Sequence, residues 1–153
     1  HWYNGHSGAP RHGIYILVRE PWQRAVLDDV TDPRGWARFG GVILQGRGGD
    51  AFAVIGVYAP TFANCQGTDW QRSCIQSLPP EERGTPYDLL RADLGRAVFD
   101  LEARGTPSVM IGDWNVTWDP AARLNAMPAA YRRHFDDWQL WFRACEENPF
   151  TNA

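Results

Sequence analysis

Two apolar runs separated by a glycine-rich loop constrain this chain more than any other feature of its sequence. Residues 41–45 and 51–58 are rich in β-branched and aromatic side chains, and the loop 46–50 between them contains three glycines. Glycine adopts the positive φ angles that tight connections require, so this pattern predicts two antiparallel strands joined as a hairpin. At least part of the core must therefore be built from a sheet.

A long connection and a helix are predicted after this hairpin. Residues 59–85 contain several prolines and glycines and show no sustained period, which predicts a loop. A helix is expected to begin at Thr85, because threonine is a favoured cap, Pro86 suits the first helical position, and Asp88 faces the positive end of the helix dipole. Apolar residues then recur at helical spacing through residues 90–101.

Two further strands and a second helix complete the predicted elements. Residues 14–18 form a β-branched and aromatic run that favours a buried strand. Gly105 ends the first helix, and the short apolar run 107–112 after it is typical of a strand buried on both faces. A second helix is expected from about Pro128, because aromatic residues after it fall on one helical face.

Composition narrows the class of protein. With 153 residues, 44% apolar and 22% charged, the chain is expected to form one globular domain. Its net charge of −3 argues against a protein that coats nucleic acid through general basicity. No apolar run approaches the roughly 20 residues that cross a bilayer, so no membrane span is predicted. The three cysteines lack zinc-site spacing, which leaves free thiols or a bridge between Cys65 and Cys74.

Polar side chains follow the predicted strand 107–112 and mark a candidate site. Asp113 can ligate a hard divalent cation or orient a water, and Asn115 can donate to a phosphate oxygen. Tyr58 ends the second strand of the hairpin and carries a phenol that can also donate to phosphate. The structural alternatives are a turn-capping role for Asp113 and simple packing for Tyr58. Trp114 and Trp118 flank the site and could contact a substrate.

The order of these elements resembles the endonuclease/exonuclease/phosphatase superfamily, typified by DNase I and the exonuclease III-type abasic endonucleases. The matching pieces are the strand 13–18, the hairpin ending at 57–60, the helix 90–101 and the strand and turn 109–116. Gly-Asp-x-Asn at 112–115 is the most specific of them. The resemblance covers most of the chain.

That resemblance implies an α+β fold, a four-layer α/β/β/α sandwich, with residues 1–153 as a single partial domain that is incomplete at both ends. It also implies hydrolysis of phosphodiesters in DNA or RNA with Mg²⁺ or Mn²⁺. Asp113 would orient or deprotonate the attacking water, Asn115 would contact the scissile phosphate and the metal shell, and Tyr58 would contact the phosphate. Asp113 and Asn115 are thus the candidate metal ligands.

The chain departs from the family pattern at both ends. The principal metal-binding Glu is expected before His1, and the closing Ser-Asp-His-like motif is not found after Asn148. Truncation is favoured over a decayed copy, and this fragment alone is expected to be a poor catalyst. The stretches 135–138 and 148–152 are similar to sequence in endonuclease domains of non-LTR retroelements. The alternatives are a phosphomonoesterase or lipid phosphodiesterase on the same fold, or a non-catalytic relic or interaction domain.

Overall fold

The computed structural model describes residues 14–59 and 69–115, which have a mixed α+β fold. Backbone contacts divide the chain into two units, His1–Trp114 and Asn115–Ala153, and every element below belongs to the first. Two short 3₁₀ turns, Trp22–Ala25 and Pro80–Glu82, accompany the longer elements. The strands are β1 (Val26–Thr31), β2 (Phe39–Gln45), β3 (Ala51–Tyr58) and β4 (Ser108–Asp113), and the helices are α1 (Asp69–Ser77) and α2 (Pro86–Ala103).

The strands form one sheet in the order β1-β2-β3-β4. β2 runs antiparallel to β1 and β3, whereas β3 and β4 are parallel. The predicted hairpin is confirmed, and its loop is closed by a hydrogen bond of 2.7 Å from the Gly46 N–H to the Asp50 carbonyl. Because β1, β3 and β4 run in the same direction, all three end at the same end of the sheet. We call this the carboxyl end.

α2 confirms the helix predicted from Thr85. The Thr85 hydroxyl accepts a hydrogen bond from the Asp88 N–H, and the Asp88 carboxylate accepts one from the Thr85 N–H. This reciprocal capping box satisfies two backbone donors that the helix itself leaves unpaired. At the other end Gly105, with a φ of 68°, lets the chain leave the helix. α2 connects the parallel strands β3 and β4, which need a crossover of this kind.

The two faces of the sheet differ in how they are covered. On one face the side chains of Ala53, Ile55 and Val57 are 0–2% exposed. The apolar stripe of α2 is buried as well, so this face and the helix form the main core. On the other face residues 14–18 lie against β3, since a Cβ added to Gly56 would come within 2.6 Å of the Ile14 side chain. The buried leucines and valine of the α2 stripe are Leu89, Leu90, Leu94, Val98 and Leu101.

Two strand predictions were wrong in part. Residues 14–18 make no β-ladder within the described ranges, although their side chains alternate between half-buried and exposed as in an extended segment. β4 was expected to be buried on both faces, yet Val109 is 56% exposed and Ile111 is 61% exposed. The reason is topological, because β4 is the last strand of the described sheet and no described element covers that side of it.

The connection 59–85 was also predicted incorrectly as a continuous loop, because it contains α1 and a 3₁₀ turn. β1 was not predicted at all, since Asp28 and Asp29 interrupt its apolar pattern and the β1–β2 register shifts there. The helix predicted from Pro128 lies outside the described residues, as do Cys65, Trp118 and the four histidines. Within the described ranges, none of the helices has the length and apolar character to cross a membrane.

Candidate functional site at the carboxyl end of the sheet

Tyr58 and Asp113 are register partners in the parallel pair β3–β4. Each is the last residue of its strand. The N–H of Ala59 donates a hydrogen bond of 2.8 Å to the carbonyl of Asp113, which fixes the two strand ends side by side. Neighbouring strands lie about 4.8 Å apart, and register partners point to the same face. Two of the three predicted site residues are therefore brought together.

Gly112 is what allows this close pairing. A Cβ at this position would overlap the carbonyl oxygen of Val57, a backbone atom that cannot move aside without separating the strands. Close packing of β4 against β3 therefore explains why a glycine occupies the first position of the Gly-Asp-x-Asn sequence. It places Asp113 against the end of β3.

The Asp113 side chain is exposed, whereas Tyr58 is half-buried. The Asp113 side chain is therefore in contact with solvent, and a half-buried phenol is restrained by its surroundings. Asn115 has a φ of 50°, in the left-handed region of backbone conformation. Apart from glycine, asparagine is one of the few residues that adopt this region readily. It begins the second unit, and its role as the partner of Asp113 stays a prediction.

A third side chain at the carboxyl end, Arg38, was missed in the sequence. Its guanidinium carbon lies 5.3 Å from the centre of the Tyr58 ring, and its carbonyl accepts a hydrogen bond of 2.8 Å from the Tyr58 N–H. Burial lowers the pKa of Arg38, and the nearby Tyr58 and Asp32 act in the opposite direction. Extending the hairpin register outward from the loop 46–50 places position 38 opposite position 58. The sequence therefore contained the information needed to pair Arg38 with Tyr58.

Three further charged residues stabilise the β1–β2 connection that carries Arg38. The Asp32 carboxylate accepts hydrogen bonds from the N–H groups of Arg34 and Arg38, at 2.9 and 3.1 Å. Arg34 reaches across to Asp93 of α2, with Nε 2.5 Å from one carboxylate oxygen and Nη2 3.3 Å from the other. Burial raises the pKa of Asp32, and the two backbone hydrogen bonds oppose that shift. These contacts are structural, since each charge is already engaged.

The described residues fit a divalent cation only in part. Asp113 offers one carboxylate at the carboxyl end, whereas Mg²⁺ takes six oxygen ligands from protein and water. Within residues 14–59 and 69–115, no group of three or more His, Cys, Asp or Glu residues could hold a metal ion. Asp113 is thus a candidate single ligand within these ranges.

In chemical terms the carboxyl end combines a phenol and a carboxylate, at the ends of β3 and β4, with a largely buried guanidinium just before the start of β2. Tyr58 offers a hydrogen-bond donor to an anion, Asp113 offers a carboxylate that can accept a proton from water, and Arg38 lies beside the Tyr58 ring. Comparison of the chain with protein-family models, with curated proteins and with solved structures gives no match.

Proposed function

We propose that this chain is part of a metal-dependent phosphoesterase of the endonuclease/exonuclease/phosphatase superfamily, acting on phosphodiester bonds of DNA or RNA. The observation that carries the proposal is the register pairing of Tyr58 with Asp113 at the ends of parallel strands. Such strand ends hold side chains more rigidly than free loops do, which hydrolysis by a positioned water requires.

The chemistry assigned to each residue follows from its group and its exposure. Asp113 is exposed, so its carboxylate can accept a hydrogen bond from water and orient that water for in-line attack on phosphorus. The Tyr58 hydroxyl donates to a non-bridging phosphate oxygen, where negative charge develops during the reaction. Asn115 would donate to the same phosphate. The net charge of −3 offers no general attraction for nucleic acid, so recognition of the phosphate has to be local.

The cation of this reaction would be Mg²⁺ or Mn²⁺, with Asp113 as one ligand. When bound, it would supply positive charge to the phosphate oxygens. Asn115 is the second candidate ligand, and the described residues contain no group of three or more His, Cys, Asp or Glu side chains that could hold the ion.

The four-layer sandwich is part of the same proposal. The face of β4 that carries Asp113 also carries Val109 and Ile111, which are 56% and 61% exposed. On residues 14–18, which lie against the same sheet face, Leu17 is 65% exposed. Exposed apolar residues that share a sheet face favour a second layer packed over them. A second sheet at this position would give the α/β/β/α order.

A non-catalytic interaction domain is the rival that one observation favours, since the same exposed apolar residues could instead receive a partner. A phosphomonoesterase or lipid phosphodiesterase would use the same site with another substrate. An assay across substrate classes separates these possibilities. It uses the protein expressed from its complete reading frame.

The test compares wild type with Asp113→Asn on supercoiled plasmid, an RNA oligonucleotide, a phospholipid diester and p-nitrophenyl phosphate, with Mg²⁺ and with EDTA. We expect Mg²⁺-dependent cleavage of nucleic acid, and a loss of about 10²–10⁴-fold in Asp113→Asn, the range for removing a general base. Asp50→Asn, an exposed acid in the hairpin loop at the opposite end of the sheet, is the matched control. Equal turnover in all three proteins would remove Asp113 from the mechanism, and no hydrolysis of any substrate would favour the interaction domain.

A further inference from the structure

Tyr58 is held between two neighbouring strands at the carboxyl end. Its N–H donates to the carbonyl of Arg38 at 2.8 Å, and the next N–H, of Ala59, donates to the carbonyl of Asp113 at 2.8 Å. The backbone of Tyr58 is therefore fixed from both sides. What these bonds do not fix is the orientation of its ring, which turns about two side-chain torsions.

The side chain of Arg38 restrains that ring. Arg38 is 8% exposed, and its guanidinium carbon lies 5.3 Å from the ring centre of Tyr58, within the distance at which a cation is attracted to an aromatic face. Its Nε is buried and has no hydrogen-bond partner within the described part of the chain. The ring face of Tyr58 is thus a principal contact of a largely buried charge.

Arg34, which lies in the same β1–β2 connection as Arg38, shows how the charge of a structural arginine is paired. It makes a bidentate ion pair with the carboxylate of Asp93. Within residues 14–59 and 69–115 Arg38 makes no such ion pair, and the Asp32 carboxylate accepts hydrogen bonds from the backbone N–H groups of Arg34 and Arg38. Burying a guanidinium without a full set of partners is unfavourable, and an apolar side chain of similar size would avoid that cost. A role in the site accounts for keeping the charge.

We infer that Arg38 is a positioning residue, which holds the Tyr58 ring and strengthens its hydroxyl as a donor to a phosphate oxygen. This inference rests on the proposed function for its ligand and on the Arg38–Tyr58 geometry for its mechanism. A cation over the ring draws π-electron density towards itself, so the phenolic hydrogen becomes more positive and the hydroxyl donates more strongly. Arg38 acts through Tyr58, since its side chain is largely buried and its guanidinium lies against the ring.

The first test observes the ring directly. In protein labelled with ¹³C at tyrosine Cζ, the Tyr58 signal is assigned by its loss in Tyr58→Phe. We expect Arg38→Met to shift this signal while the signal of the exposed Tyr15 stays in place, and Arg38→Lys to restore part of the shift by returning a cation. Arg47→Met, the same replacement at an exposed arginine in the hairpin loop, is the control. If Arg38→Met does not fold, Arg38→Gln takes its place with the same expectation.

The second test asks whether the two residues act together on an anion. Inorganic phosphate is titrated against wild type, Arg38→Met, Tyr58→Phe and the double variant, with binding followed by ³¹P NMR. We expect each single variant to weaken binding about tenfold, and the double variant to bind no more weakly than Tyr58→Phe. Additive losses would overturn the inference, because they would mean that Arg38 acts independently of Tyr58.

The outcomes for this inference and for the proposed function are distinct. Hydrolysis by wild type with an unmoved Tyr58 signal in Arg38→Met would overturn the role of Arg38 and leave the phosphoesterase standing. A shifted Tyr58 signal and coupled phosphate binding, with no hydrolysis of any ester by wild type, would support the role of Arg38 and contradict the phosphoesterase.

Discussion

Tyr58 and Asp113 occupy the same register position at the ends of β3 and β4, and the N–H that follows Tyr58 donates to the carbonyl of Asp113 at 2.8 Å. A phenol and a carboxylate thus leave adjacent strands on one face of the sheet. The crossover helix α2 makes this possible, because it lets β4 run parallel to β3 and end beside it. The proposed chemistry depends on this pairing.

Replacing Tyr58 by Phe removes the hydroxyl and keeps the ring beside Arg38. We predict that kcat/KM for phosphodiester hydrolysis falls by about tenfold to a hundredfold, the value of one hydrogen bond to a charged group. The free energy of unfolding should change little, since Tyr58 is half-buried and its backbone hydrogen bonds remain. Tyr15→Phe, at a residue that is 64% exposed, is the control. Equal losses in the two variants would contradict a specific role for Tyr58.

Replacing Gly112 by Ala should separate the two strand ends. The added Cβ would overlap the Val57 carbonyl oxygen, so we predict a loss of about 1–3 kcal/mol in the free energy of unfolding, as for other overpacked positions. Urea denaturation measures this, and faster hydrogen exchange at the Ala59 amide would report the weakened bond to Asp113. In Gly48→Ala the nearest atom to the new Cβ is 3.5 Å away, so this control should lose less than about 0.5 kcal/mol. Similar stability of both variants would show that β4 does not need this glycine.

Asp32 should make stability depend on pH. Burial raises its pKa above 3.8, so the folded protein holds this proton more tightly than the unfolded chain does. Asp32 therefore contributes nothing to the pH dependence when both states are protonated, and it becomes destabilising as pH rises through its folded pKa. We predict that the stability of wild type relative to Asp32→Asn falls as pH rises above the ordinary carboxyl value of 3.8. Asp50→Asn gives the baseline, and a flat or rising difference would contradict the raised pKa.

The parts of the fold that follow from local sequence were predictable. The glycines of the loop 46–50 specify a hairpin, and Thr85 with Asp88 specifies a helix start, because each signal acts over a few neighbouring residues. β1 was not predicted, because Asp28 and Asp29 interrupt its apolar pattern. The strand is stabilised by its pairing with β2.

The candidate site was predictable only in its individual residues. Asp113 and Tyr58 were identified as polar groups at strand ends, but a sequence does not state that two strands far apart in the chain will pair in register. The exposure of Val109 and Ile111 likewise depends on which elements cover β4, which their apolar character alone could not reveal. Arg38 was missed because a charged residue flanking a buried strand usually lies in solvent.

The most direct test of the account is whether a divalent cation binds beside Tyr58 and Asp113. Mn²⁺, which replaces Mg²⁺ and broadens nearby NMR signals, would be titrated into ¹⁵N-labelled protein expressed with its flanking reading frame. We predict selective broadening at the amides of Gly112, Asp113 and Ala59, reversal by excess Mg²⁺, and loss of the effect in Asp113→Asn but not in Asp50→Asn. Uniform broadening, or the same selective broadening in Asp113→Asn, would contradict a metal-dependent phosphate site at this end of the sheet.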